Sequence, residues 1–140
     1  MRLFAFLWGV ISIFLACKRK ERPTTSSYTY ADFEVQVEAD CFILRLREPS
    51  LIAEARAMLR DTTLRKIPIG PLRRGDGGFN RCAGRQWGWH VLPDSVSFAE
   101  MAIELCDGLP SHVEGDISYW VDTVGRYCPW GARIVREIPQ

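Results

Sequence analysis

Residues 33–47 of this 140-residue chain read FEVQVEADCFILRLR, and their pattern decides the type of fold. In residues 33–37 and again in residues 41–47, every second residue is apolar. This period of two is typical of a β-strand with one face buried and one face in water. Because only residues 39 and 40 break the pattern, the sequence predicts two antiparallel strands joined by a tight turn.

The segment that follows predicts a helix and then a weak strand. Residues 48–50 (Glu-Pro-Ser) are typical of a first helical turn, where proline is tolerated and a carboxylate favours the positive end of the helix dipole. One helical face beyond them is apolar, with Leu51, Ile52, Ala55, Met58 and Leu59. Residues 65–72 contain two prolines, which cannot donate ladder hydrogen bonds, so we expect at most an edge strand there. The glycine-rich residues 73–78 are the stretch we expect to be least ordered.

The C-terminal half predicts one strand, two helical segments and a last strand. Residues 87–92 (WGWHVL) read as a strand with Trp87, Trp89 and Val91 on one face. Residues 97–106 predict a helix that starts at a Ser-x-x-Glu capping box, with a buried stripe formed by Phe98, Met101, Ala102 and Leu105. Ser111 and Glu114 form a second capping box, and residues 132–138 alternate like a strand. We therefore predict an α+β fold, with a small antiparallel sheet packed against two or three helices.

The N-terminus carries an export pattern. Residues 3–16 are apolar and follow Arg2, but they are fewer than the roughly 20 residues that a membrane-spanning helix needs. Residues 1–16 therefore predict a signal peptide. The run ends in Ala16 and Cys17, which resembles the lipobox of bacterial lipoproteins, in which the signal is cut before a cysteine that then carries lipid, commonly palmitate.

These features predict a protein held at the membrane of the cell envelope by lipid on Cys17. Residues 17–30 are polar and read as a tether, and residues 31–140 as one globular domain. A plain secreted protein is one alternative. An uncleaved signal anchor is another, because the basic cluster in residues 18–22 favours retention of that side in the cytoplasm.

The charge balance excludes one broad class of function. Lys and Arg number 18 against 17 Asp and Glu, and removal of residues 1–16 takes away one Arg, which leaves no formal net charge. Nucleic-acid binding requires a basic footprint, so we expect no nucleic-acid partner. The cysteines have no CxxC spacing and no nearby histidine pair, and we therefore predict neither a metal site nor a cofactor.

The candidate catalytic residues are His90, Glu100 and Glu104. Histidine changes charge near neutral pH, and the two glutamates lie four residues apart, on one face of the predicted helix. The sequence offers no orienting partner for His90, so a structural role for this side chain is the competing interpretation. The two glutamates are equally well explained as part of a solvated helix face.

Residues 87–107 and 127–137 resemble a family of small secreted domains often labelled calmodulin-binding-protein-like in bacterial genomes. The resemblance rests on WGWHVLPDSVSFAEMAIELCD and YCPWGARIVRE, with the strand and helix of residues 42–59. It implies a disulfide between Cys106 and Cys128, which lie in the two matched segments, and leaves Cys41 to pair with Cys82. Four cysteines allow three connectivities, and the other two stay open.

The resemblance also carries a label that the residues do not support. Calmodulin targets are basic amphipathic helices with a free apolar face. The helix ending near Arg60 has basic residues, but Glu54 and Asp61 dilute them, and we interpret its apolar stripe as part of the domain core. We do not adopt calmodulin as the partner.

We therefore expect a non-catalytic binding domain for an unidentified protein or small ligand. Its expected recognition surface is the strand with Trp87, Trp89 and His90, together with the loop of residues 73–80. One alternative is an envelope hydrolase that uses His90 with Glu100 or Glu104. A second alternative is an inhibitor of a secreted protease, with residues 73–78 entering the protease cleft.

Overall fold

The computed structural model describes residues 30–140, and the predicted signal peptide, Cys17 and the tether up to residue 29 lie outside that range. β1 (Ala31–Val37) and β2 (Asp40–Leu46) form the predicted antiparallel hairpin. The inward side chains of the two strands are at most 2% exposed and form the centre of the core: Phe33, Val35, Val37, Phe42, Leu44 and Leu46. The period-two prediction is therefore confirmed for both strands.

The outer face of the hairpin holds a buried charge pair at the start of the domain. Arg45 donates two hydrogen bonds to the Asp32 carboxylate, at 2.7 and 2.8 Å. This hydrogen bonding raises the pKa of Arg45 above its usual value. The guanidinium also stacks on the ring of Tyr30 at 3.8 Å and on that of Phe79 at 4.4 Å. The residue that leads into β1 is thus tied to the sheet.

The predicted first helix is confirmed as α1 (Pro49–Arg60), which begins with proline in its first turn. Its apolar face packs on the core, with Ala55 and Met58 buried. On its exposed side, Arg56 donates two hydrogen bonds to Glu137, at 2.9 and 2.7 Å. The apolar stripe of α1 is therefore occupied by the core of the domain, as interpreted from the sequence.

The last predicted strand is also confirmed, as β9 (Arg133–Glu137). It pairs antiparallel with β1, so that the first sheet has the order β2-β1-β9 and β1 lies in the middle. An irregularity at Glu34 and Val35 shifts the register between the two strands. Among residues 30–140 no strand pairs with the second edge of β9.

A second sheet forms around β3 (Ile67–Arg74), which we expected to be at most an edge strand. That expectation was wrong, because β3 pairs with three short strands: β6 (Trp89–Val91), β7 (Ser97–Ala99) and β8 (Arg126–Tyr127). Each partner covers only two or three residues of β3. The prolines lack a donor but keep their carbonyls, and Pro71 O accepts a hydrogen bond from Leu92 N at 2.9 Å. A central position is therefore possible despite the prolines.

The predicted helix over residues 97–106 was wrong. Residues 97–99 form β7, and Glu104–Cys106 form a single 3-10 turn, with irregular chain between them. Pairing with β3 holds the first part extended, and a disulfide holds Cys106 at the other end. Tertiary contacts thus override the local helical pattern. Of the stripe expected to be buried, Met101 is 86% exposed and Leu105 is 60% exposed.

The remaining elements are short. β4 (Arg81–Cys82) and β5 (Arg85–Gln86) form a small hairpin. The predicted helical segment is confirmed as α2 (Pro110–Gly115), followed by a π-helical turn over Tyr119–Val124. The predicted Ser111–Glu114 capping box was wrong, because Glu114 instead accepts a hydrogen bond from Gly88 N at 2.8 Å.

Together these elements make an α+β domain with small antiparallel sheets, three short helical elements and two disulfides, which confirms the predicted fold class. Within residues 30–140 no helix is long and apolar enough to cross a membrane. The two sheets enclose a single large core, and a smaller cluster around Cys41, Ile43 and Cys82 lies on the outer face of the first sheet.

Candidate binding surface

Both implied disulfides are present. Cys41 is bonded to Cys82, which attaches the β4–β5 hairpin to the outer face of β2. Cys106 is bonded to Cys128, which joins the 3-10 turn to the chain after β8. All four of these cysteines are at most 8% exposed. The disulfides therefore act as internal braces.

Trp87 and Trp89 do not form a recognition surface, contrary to our expectation. They are 2% and 0% exposed, and their rings pack against each other with centroids 5.9 Å apart. Trp87 Nε1 donates a hydrogen bond to Cys41 O at 2.9 Å. Both indoles belong to the core, where large aromatic rings contribute strongly to stability.

His90 supports the loop of residues 73–80. Its Nδ1 donates to Gly75 O at 2.8 Å, and its ring packs edge-on against Phe79. A Cβ on Gly77 would lie 2.9 Å from the His90 ring, so only glycine fits at this close approach. These contacts correspond to the structural interpretation of His90.

The same loop is well organised, although we expected it to be the least ordered stretch. Asp76 accepts hydrogen bonds from Gly78 N at 2.9 Å, Arg81 Nε at 3.1 Å and Gln86 Nε2 at 3.0 Å. The backbone hydrogen bond from Gly78 is the main cause that lowers the pKa of Asp76. The loop is thus a folded element that connects β3 to the β4–β5 hairpin.

His90 and Glu100 do not come together. His90 lies opposite Arg73 on one edge of β3, whereas Ala99, next to Glu100, lies opposite Ile67 on the other edge. The stretch of β3 between those two positions spans about 20 Å. The helix face that would have carried Glu100 and Glu104 does not exist. The hydrolase constellation predicted from the sequence was therefore wrong.

An exposed apolar surface lies instead at residues 101–105, which we call the apolar segment. Met101, Ile103 and Leu105 are 86%, 64% and 60% exposed. Trp130, which is 45% exposed, belongs to the same region, because its N–H donates to the Asp107 carboxylate at 2.8 Å. Neighbouring large apolar side chains that face water are typical of surfaces that bind another molecule.

The apolar segment is held at both ends. Ala99 pairs with Ile67 in the second sheet, and Cys106 is bonded to Cys128. Between them the chain is extended at Ile103, with φ −72° and ψ 150°, and the Ile103 carbonyl oxygen lies 3.4 Å from Cys128 Sγ. A segment fixed in this way presents its side chains with little conformational entropy left to lose on binding.

Carboxylates flank the apolar side chains. Glu100 and Glu104 are both exposed, and within residues 30–140 neither has a cationic group within 4.0 Å. Lys66 is the basic residue whose charge Glu100 influences, although the hydrogen bond to Glu54 is the main cause that raises the pKa of Lys66. The complement of this surface is an apolar site bordered by Lys or Arg.

The family model of the BP-74 N-terminal domain matches residues 27–140. The chain belongs to this family. The match contains both disulfides and the apolar segment, and residues 17–26 of the predicted tether precede it. Neither a curated protein nor a solved structure matches the chain.

One cluster in this family member has the residue types of a metal site. The Glu34 carboxylate and the sulfurs of Cys41 and Cys82 lie within 4.8 Å of one another. Cysteine binds metals as a thiolate, and these two sulfurs are bonded to each other. Glu34 itself pairs with Arg136 at 2.5 Å. The oxidised cluster therefore has no ligand set for a metal ion.

Proposed function

We propose that this domain is a non-catalytic binding module that recognises a protein partner through the apolar segment. The observation that carries the proposal is the exposure of Met101, Ile103 and Leu105 on a chain segment fixed by a strand pairing and a disulfide. The apolar face of α1 is packed in the core, so a calmodulin-like mode of binding has no free helix face here. The partner is a protein with apolar pockets bordered by cationic side chains.

The position of the apolar segment favours a protein over the membrane to which the chain would be anchored. The chain enters the domain at Ala31, and β1 runs about 20 Å from there to Val37. Trp130 lies at the Val37 end, since a Cβ on the next residue, Gly131, would be 3.9 Å from Val37 Cγ1. A domain tethered through residues 17–30 therefore presents the apolar segment at the end away from its attachment.

Replacing Met101, Ile103 and Leu105 together with serine should weaken partner binding at least about tenfold, because central apolar contacts dominate most interfaces. The partner is first identified by cross-linking the domain to exported proteins, and the affinity is then measured by calorimetry. Leu64→Ser is the matched control, since Leu64 is also exposed but lies outside the apolar segment. Equal thermal melting of the variants shows that the change acts on binding.

Three outcomes contradict this assignment. Equal affinity of the triple variant and the wild type excludes the apolar segment as the contact. Binding of the domain to lipid vesicles without any protein assigns the surface to the membrane. A partner protease that is inhibited, with slow cleavage within residues 73–78 and none within residues 101–105, returns the function to the inhibitor loop predicted from the sequence.

We also propose that the domain is held in the cell envelope by lipid on Cys17. The change Cys17→Ser should move the protein from the membrane fraction to the aqueous fraction, because no thiol remains for acylation. Mass spectrometry of the wild type should show the added acyl chains. A variant that stays with the membrane at an unchanged mass supports the uncleaved anchor instead, and a wild type without lipid supports the secreted form.

A further inference from the structure

A groove lies between the end of α1 and the edge strand β9, separate from the apolar segment. Its volume is about 200 Å³. Its apolar walls come from Met58 and Leu59 on the helix and from Ala132, Ile134 and Val135 on the strand side. This volume is below the roughly 300–1,000 Å³ of sites for drug-sized ligands, so the groove suits one apolar side chain of a longer molecule.

The second wall of the groove can supply main-chain hydrogen bonds. β9 is an edge strand, and its outer side is unpaired within residues 30–140. Adding a strand to such an edge gives an extended peptide affinity through its backbone, while alternate side chains enter pockets. Val135 on this strand is 40% exposed, so the edge is open to solvent.

The charged groups that line the groove are all cationic. Arg65 and Lys66 lie on one side and Arg133 on the other. Arg65 donates to Gly131 O at 2.8 Å and to Ala132 O at 3.1 Å, and Lys66 is paired with Glu54 at 2.6 Å.

Arg133 is the basic group of the groove that is free to bind an anion. It is exposed, and within residues 30–140 it has no carboxylate within 4.0 Å. The groove therefore combines a side-chain pocket, a strand edge and an unpaired guanidinium.

We propose that this groove binds an extended peptide with an apolar C-terminal residue. The peptide adds antiparallel to the free edge of β9, its last side chain enters the pocket beside Leu59 and Ile134, and its carboxylate pairs with Arg133 at the start of the strand. This site is independent of the apolar segment, so failure of either proposal leaves the other intact.

The test uses fluorescent hexapeptides that are randomised at five positions and end in leucine, with either a free or an amidated C-terminus. Fluorescence polarisation with the domain should show saturable binding of the free acid and at least about tenfold weaker binding of the amide. Arg133→Glu should weaken the free acid by the same factor. The matched control is Arg60→Glu, since Arg60 is an exposed arginine on α1 that does not line the groove.

A second variant tests the pocket itself. Thr62 is exposed and lines the groove, so Thr62→Trp should fill it and abolish binding while the melting temperature stays the same. Equal binding of acid and amide, or equal binding by Arg133→Glu, overturns the proposal. Saturable binding of decanoate with no peptide bound assigns the groove to a fatty acid. A concentration-dependent dimer that Arg133→Glu disrupts, with no peptide bound, assigns it to a second copy of the chain.

Discussion

Replacing both Cys106 and Cys128 with alanine should lower the free energy of unfolding by about 3 kcal/mol. The disulfide closes a loop with a sequence separation of 22 residues, and its loss increases the freedom of the unfolded chain. Alanine is chosen because both cysteines are buried, at 2% and 0% exposure, where a free thiol would be a new group in the core. Urea denaturation of the variant and the wild type measures the difference.

The same variant should also loosen the apolar segment in the folded state. Residues 101–105 would then be held only at Ala99, so their amide hydrogens should exchange faster and partner binding should weaken. The control removes the other disulfide by Cys41→Ala and Cys82→Ala, which closes a longer loop with a separation of 41. That control should lose at least as much stability but leave exchange at residues 101–105 unchanged. Equal exchange in both variants would show that the Cys106–Cys128 bond does not position the segment.

Replacing Asn80 with alanine should cost about 3 kcal/mol, because it leaves two buried main-chain groups without a partner. Asn80 is fully buried; its side chain accepts a hydrogen bond from Ile43 N at 2.9 Å and donates one to Trp89 O at 2.7 Å. It therefore links β2 of the first sheet to β6 of the second. Thermal and urea unfolding of the variant give the loss directly.

The isosteric change Asn80→Asp separates the two hydrogen bonds. A carboxylate keeps the acceptor for Ile43 but cannot donate to Trp89 O, and burial should raise its folded pKa above the unfolded value of about 3.9. A raised acid pKa means that the folded state binds more protons, so the variant should lose stability as the pH rises from about 4 to 7. Gln86→Glu, at an exposed position, is the control that should show no such loss. A variant as stable as the wild type across this range would contradict the bridging role.

The parts of the fold that could be predicted are those in which one local pattern dominates. The β1–β2 hairpin, α1 and β9 have a clear period and few competing contacts. Residues 97–106 fit two patterns, since Phe98, Met101 and Leu105 suit a helix while Met101, Ile103 and Leu105 suit an extended chain. Pairing with β3 and the bond from Cys106 decide between them, and neither contact is local.

The candidate site was missed for a related reason. The alternation around Trp87 and Trp89 shows that the two rings share a face, but it does not show whether that face meets solvent. In the folded chain the second sheet and the hairpin cover them, and the residues left exposed are those assigned to a buried helical stripe. His90 shares this limit, because its partner Gly75 O belongs to a loop whose path depends on Asp76 and Asn80.

The middle position of β1 has a mechanical consequence. A pull transmitted from the envelope through the tether enters at Ala31, while a bound partner would pull at the end near Val37. The load then runs along the axis of β1, which is hydrogen-bonded to β2 on one side and to β9 on the other. Two ladders resist it together in shear, whereas an edge strand would peel away one bond at a time. The domain is thus built to stay folded while it holds a partner under tension.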